Sequence, residues 1–199
     1  MNIIKKELTV NHPSFEKISN FLDSFETNEK LFRISTNDTL FVDSSYDPGV
    51  NHIVTIEKST LFNFDNKELN GYFEDALNHI KSIYNIKILW LMTYPPKSHL
   101  FFHIDYEQNR HLLCFNENPR FFSYECGKNK MDSIVDINEK LINCNGDIDS
   151  FNQYYLNLDS NCKIDSLDKN TVYGFGDSIH NFVNDSNKLR INFVFELMD

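Results

Sequence analysis

A mainly β fold with flanking helices is what this sequence predicts, on three observations. Phe and Tyr are abundant, 18 and 9 in 199 residues, and many alternate with polar neighbours, which suits the pleated, half-buried surface of a strand. Residues 189–197 alternate almost without fault, placing Leu189, Ile191, Phe193, Phe195 and Leu197 on one face and Arg190, Asn192, Val194 and Glu196 on the other. Two stretches with helical periodicity lie in the first 85 residues, ahead of most of the strand pattern. One domain over 1–199 is expected at this length, with helices and outer strands in 1–85 and the β core in 86–199.

In chain order, residues 8–10 suit a short edge strand, and Asn11, His12, Pro13 and Ser14 read as a helix start, proline being tolerated in the first turn. Phe15, Ile18, Phe21, Leu22 and Phe25 then recur at helical spacing. Residues 31–42 and 50–57 alternate like neighbouring strands, separated by the turn chemistry of Asp47, Pro48 and Gly49. A second helix is predicted over 66–84, with Leu69, Tyr72, Phe73, Ala76, Leu77, Ile80 and Ile83 on one side. Gly71 weakens it slightly, and His79 reads as a surface or packing residue. Two such helices ahead of a β core would buttress the outside of one sheet.

Residues 86–94 are a run of large apolar side chains, consistent with a central strand buried on both faces. Pro95 and Pro96 end it, since proline donates nothing to a ladder. Residues 110–115 and 120–125 flank a turn at 116–119 and predict a hairpin. Residues 127–170 are acidic, Asn-rich and the least regular part, an insertion with helical or irregular pieces at 137–144 and 148–158. Either it covers the active site and selects the substrate, or it is a solvated loop.

The formal charge of −10 argues against a polyanionic partner such as nucleic acid, which is bound by concentrated Lys and Arg. Residues Met1 to Lys6 lack the apolar core of a signal peptide, and no apolar run approaches the ~20 residues needed to span a bilayer. A soluble, cytoplasmic protein with no membrane partner is the expectation. Cys114, Cys126, Cys144 and Cys162 form no Cys-x-x-Cys pair, so reduced thiols are expected rather than a zinc site or a disulfide framework.

The chemistry gathers around residues 98–105. On an extended strand Phe101, His103 and Asp105 share one face, while Phe102 and Ile104 take the other. With a third ligand from a facing strand, His103 and Asp105 would make a two-His, one-carboxylate facial triad that holds Fe(II) and leaves three positions open. His180, after a Gly-rich approach, is the candidate. Arg190 follows ten residues later, and a lone Arg on that strand suits a bidentate grip on a carboxylate.

The order His103-x-Asp105, a distant His180 and then Arg190 resembles the Fe(II)- and 2-oxoglutarate-dependent dioxygenases. Phe175 to His180, with Arg190 to Phe193 after it, looks most like the aspartyl/asparaginyl β-hydroxylase branch. The resemblance covers roughly residues 94–197 and implies a double-stranded β-helix, the cupin-like jelly roll, with buttressing N-terminal helices. It implies Fe(II) on His103, Asp105 and His180, 2-oxoglutarate on the iron with its far carboxylate on Arg190, and O2 as the oxidant. The implied reaction hydroxylates an amino acid, free or within a peptide or protein, and releases succinate and CO2.

Tyr94, nine residues before His103, stands where related hydroxylases carry a tyrosine that touches the co-substrate, although buried tyrosines commonly serve packing. Asn192 shares a face with Arg190, and either it or Phe101 lines the pocket or fills the interior. The β-hydroxylase branch has Arg-x-His-Leu near the co-substrate. Here Arg110 and His111 are adjacent and face opposite sides of a regular strand, so only one reaches the cavity. Aligning His111 and Leu112 on the family's His-Leu favours His111. The rival class is a cupin-like metal or small-molecule binding or sensing protein that performs no oxidation. Arg190 argues against it, since a plain metal-binding barrel has no need of a carboxylate clamp.

Overall fold

The computed structural model describes residues 4–24, 52–56, 67–94, 98–99, 101–105, 110–116, 120–124, 130–144, 150, 162–176, 178–184 and 186–198. The strand expected at 31–42, the turn at 47–49, Pro95 and Pro96, and nearly all of the 148–158 piece lie outside them. Two antiparallel sheets face each other as a jelly roll, with helices on both outer faces. The larger sheet is ordered β1 (Ile4–Thr9), β8 (Thr171–Phe175), β5 (Arg110–Cys114), β10 (Arg190–Leu197), β3 (Ile86–Tyr94) and β2 (His52–Ile56). The smaller is ordered β4 (Ser98–His99), β9 (Ile179–Asn184), β6 (Arg120–Tyr124) and β7 (Cys162–Ser166).

Strand alternation sorts the apolar residues into layers. On β10, Ile191, Phe193 and Phe195 point outward and pack against α1 (Pro13–Ser24) and α2 (Lys67–Ile83). Phe15, Ile18 and Leu22 of α1 and Leu69, Phe73, Ala76, Leu77 and Ile80 of α2 complete that cluster. The His12 ring accepts from or donates to Ser14 Oγ at 2.7 Å at the start of α1, and it stacks on His79 at 4.4 Å. His79 is thus a packing residue between the two helices. On the other face of the same sheet, Met92, Tyr94, Leu112 and Val194 meet Phe121 and Phe182 from the smaller sheet. β3 is therefore buried on both faces as its composition predicts, through alternation: Leu89 and Leu91 outward, Met92 and Tyr94 inward.

A third cluster lies behind the smaller sheet, where Ile137 and Leu141 of α3 (Lys130–Asn143) cover Phe102, Phe122, Ile179 and Val183. The helical part of the long insertion thus packs on the outside of this sheet, away from the inter-sheet space. Asn170, with φ 53°, turns the chain into β8, a conformation asparagine tolerates better than most residues.

The expected hairpin between 110–115 and 120–125 is corrected. β5 pairs with β10 and β8, whereas β6 pairs with β7 and β9 in the other sheet. Both runs are rich in strand-forming apolar residues, but such a run identifies a strand and not its partner, and here the connection crosses from one sheet to the other. The first strand begins earlier than expected, at Ile4, because an edge strand with five consecutive exposed residues carries almost no apolar signal.

Candidate metal centre

Residues 101–105 run beside β9, which aims His180 and Phe182 inward and Ile179 and Val183 outward. His103 N–H donates to the His180 carbonyl at 3.0 Å and His180 N–H to the His103 carbonyl at 2.9 Å, a single antiparallel rung. Residues directly opposite on such a rung project to the same face. Phe102 and Ile104 turn the other way into the cluster under α3. There Asn138 holds Phe102 from behind, accepting from its N–H at 2.8 Å and donating to its carbonyl at 2.9 Å.

Both imidazoles are oriented by the backbone. Nδ1 of His103 lies 2.7 Å from the Phe101 carbonyl, and Nδ1 of His180 lies 2.9 Å from the Ser178 carbonyl. A carbonyl only accepts, so each Nδ1 donates, which in a neutral ring leaves Nε2 with the lone pair a metal ligand needs; with no metal bound, the bond from His180 to Asp105 takes a proton on Nε2 instead. The His180 ring is further fixed by Phe121, stacked at 5.3 Å, and Phe175, edge-on at 5.0 Å. One ligand atom from each of His103, Asp105 and His180 lies within 4.8 Å of the others.

Asp105 splits its two oxygens. Oδ2 is 3.3 Å from His180 Nε2, and Oδ1 accepts from Arg110 Nη1 at 2.7 Å. Burial by itself pushes this carboxyl up. The hydrogen bond and charge of His180, then the charges of His103 and Arg110, outweigh it and hold the group below the ordinary aspartate value.

The triad opens on a cavity of about 450 Å³ between the sheets. Its walls are aromatic and aliphatic: Trp90, Phe101, Phe121, Phe175 and Phe182, with Met92, Leu112 and Val194. Its polar groups are the triad, Arg110 and Tyr94. Two imidazole nitrogens and one carboxylate oxygen brought together at an apolar-walled cavity fit an octahedral Fe(II)-type ion with open positions.

Of the residues expected to hold a co-substrate, Tyr94 and Arg110 line the cavity, and so does Phe101, expected either to line the pocket or to fill the interior. Tyr94 is 1 % exposed and packs on Phe182 at 4.4 Å. The choice between Arg110 and His111 falls to Arg110. His111 lies on the opposite face, stacked on Phe195 at 5.4 Å, with Nε2 3.1 Å from a Glu7 oxygen. Alignment on a His-Leu pair favoured it, but the parity of β5 decides. Arg190 and Asn192 are on the same face of β10 as Val194, and neither lines the cavity. The Arg190 guanidinium is buried and donates through Nε to Asn184 Oδ1 at 2.8 Å, while Asn184 Nδ2 donates to the Tyr94 carbonyl at 2.8 Å. Cys114 and Cys144 carry free thiols, and burial pushes the Cys114 thiol far up, with Arg190 opposing only in part.

Sequence reasoning missed Asn138, Asn184 and Trp90. The last had a usable signal, because Trp90 shares strand parity with Tyr94 and so faces the same side. Asn138 had none, since its partners are backbone groups of a distant segment.

No family model and no curated protein sequence matches the chain. Among solved structures, AviO1 from Streptomyces viridochromogenes Tue57 is similar with a TM-score of 0.51 at 8% identity, over 98% of this chain and 89% of that one. A prolyl-4-hydroxylase from Pseudomonas putida gives a TM-score of 0.46 at 8% identity, over 98% and 92%. A cupin domain from Bordetella pertussis Tohama I gives 0.35 at 10% identity, over 56% and 81%. At such identities the likeness shows the fold alone, and AviO1 carries it. Among the described residues no helix is long and apolar enough to cross a membrane.

Proposed function

We propose that the chain is an Fe(II)- and 2-oxoglutarate-dependent dioxygenase that hydroxylates a C–H bond of an amino acid, free or within a peptide or protein. The observation that carries this reading is the convergence of His103, Asp105 and His180 at the wall of an apolar cavity, with Nδ1 of each imidazole held by a backbone carbonyl so that Nε2 is the nitrogen left for a metal. When bound, iron with 2-oxoglutarate and O2 supplies the oxidising equivalents that convert C–H to C–OH, with succinate and CO2 as co-products.

The chain's own residues do the rest. His103, Asp105 and His180 would hold the ion from one side and leave the cavity side for the co-substrate and O2. The Phe101 and Ser178 carbonyls stop the rings from turning. The aromatic walls exclude water and favour an apolar portion of the substrate, in a cavity whose volume is within the ordinary range for small-molecule sites.

One observation favours the second reading, a cupin-like metal or small-molecule binding or sensing protein. Arg190, the expected clamp for the far carboxylate, does not line the cavity and bonds Asn184 instead. A single experiment separates the readings: purified protein loaded anaerobically with Fe(II), then given 2-oxoglutarate and air, assayed for succinate and for bound 2-oxoglutarate. Iron-dependent succinate that disappears in His180→Ala supports the dioxygenase. Iron uptake with neither succinate nor 2-oxoglutarate binding moves the assignment to the binding protein.

A further inference from the structure

We infer that Arg110 is a positioning residue that makes Asp105 a one-oxygen metal ligand. The inference rests on the metal reading of the triad and adds a residue which that reading does not require. Arg110 opens β5 in the larger sheet, while Asp105 follows the strand that lies against the smaller one, so their ion pair spans the two sheets beside the cavity. The pair is well shielded, with side-chain exposures of 21% and 14%. It is therefore screened far less than a surface pair. The guanidinium also rests on the Trp90 ring, 4.6 Å from its centroid, which fixes the angle of approach.

The two oxygens of Asp105 thus face different partners, Oδ1 the cation at 2.7 Å and Oδ2 the His180 nitrogen at 3.3 Å. A carboxylate with one oxygen engaged in a charge-assisted hydrogen bond presents the other to a metal. Chelation through both oxygens would require breaking the bond to Arg110. The guanidinium thereby keeps open a coordination position that a freely rotating carboxylate could fill.

The test is titration of the metal-free chain with Co(II), whose visible absorption reports coordination number, on the wild type, Arg110→Met and Arg110→Lys. Arg110→Met, which keeps much of the stem and loses every donor, should bind Co(II) about 10- to 100-fold more weakly, as loss of a group supporting a ligand does. Its absorption bands should shift as well. Arg110→Lys, which can still donate once to Oδ1, should recover part of both effects, a recovery that a merely structural role does not predict. Arg110→Met binding within twofold of wild type, with unchanged bands, overturns the inference and leaves the metal site standing. A wild-type chain that takes up no Co(II) overturns the metal reading and the inference together. Should Arg110→Met fail to fold, Arg110→Leu, which likewise has no donor, is read by the same criteria.

Discussion

His103 and His180 exchange both backbone hydrogen bonds, at 3.0 and 2.9 Å, and their rings lie 4.5 Å apart on one face. The neighbouring rung pairs His99 with Val183. Three residues therefore lie between the two rungs on one strand and two on the other. Had the register run on evenly, Phe102 would stand opposite His180 and His103 would project away from it. Removing one residue between His99 and His103 should let His103 take the place opposite His180 in an even register, so that Co(II) uptake survives while the far-ultraviolet circular dichroism stays that of a folded chain. Loss of uptake after the deletion would show that the extra residue itself shapes the site.

His103→Ala, Asp105→Ala and His180→Ala each remove a ligand rather than a supporting group. The expected fall in Fe(II) or Co(II) affinity exceeds the ~100-fold ceiling typical of outer-shell changes. Equilibrium dialysis under anaerobic conditions reads it, and a variant that binds like wild type excludes that residue from the site.

Asn138→Ala takes both side-chain hydrogen bonds from the Phe102 backbone, one residue before His103. Leaving these groups unpaired beneath α3 should cost about 1–3 kcal/mol, measured by urea denaturation of the metal-free chain. A weakened metal affinity should accompany it, since the strand that carries His103 loses its backing.

Arg190→Ala should destabilise the chain with no ligand present, by about 2 kcal/mol or more, because the bond to Asn184 is buried and charge-assisted. A clamp for 2-oxoglutarate adds a second effect, a raised requirement for that co-substrate in the succinate assay. Thermal unfolding of the ligand-free variant isolates the first effect from the second.

Asp105 sets a pH dependence in the metal-free chain. Its folded-state value lies below the ordinary 3.8, so its ionised form contributes stability that is present above that value. The contribution is lost as pH falls through the depressed one. The stability difference between wild type and Asp105→Asn should shrink on acidification through that window. A difference independent of pH would mean that the carboxylate's partners do not stabilise it.

A mainly β fold with flanking helices was legible because period-2 patterns such as 189–197 and the helical stripes of α1 and α2 are local signals, each readable without its partners, whereas the jelly roll itself came from the resemblance. Register and sheet membership were not legible. Residues 110–115 and 120–125 look like a hairpin until their partners in two different sheets are known. The convergence of His103, Asp105 and His180 was readable from spacing, and strand parity already said that Arg110 and His111 must face opposite ways. Which of them faced inward depended on β10 and β8 on either side. The tie between Arg190 and Asn184 could not be read, because it joins the two ends of a turn whose geometry no periodicity records.

The helix-covered outer cluster of the larger sheet owes nothing to the histidine rung, whereas the smaller sheet meets the triad through β9. An ion on the triad would act as a removable cross-link between chain segments separated by β5, β6, α3, β7 and β8. Such a clip stabilises by about 2.7 kcal/mol when the free ion stands at a hundred times its dissociation constant. Amide exchange should therefore slow on metal loading in β9 and residues 101–105, with little change in α1 and α2. A chelator would then loosen one layer of the molecule and leave the other closed.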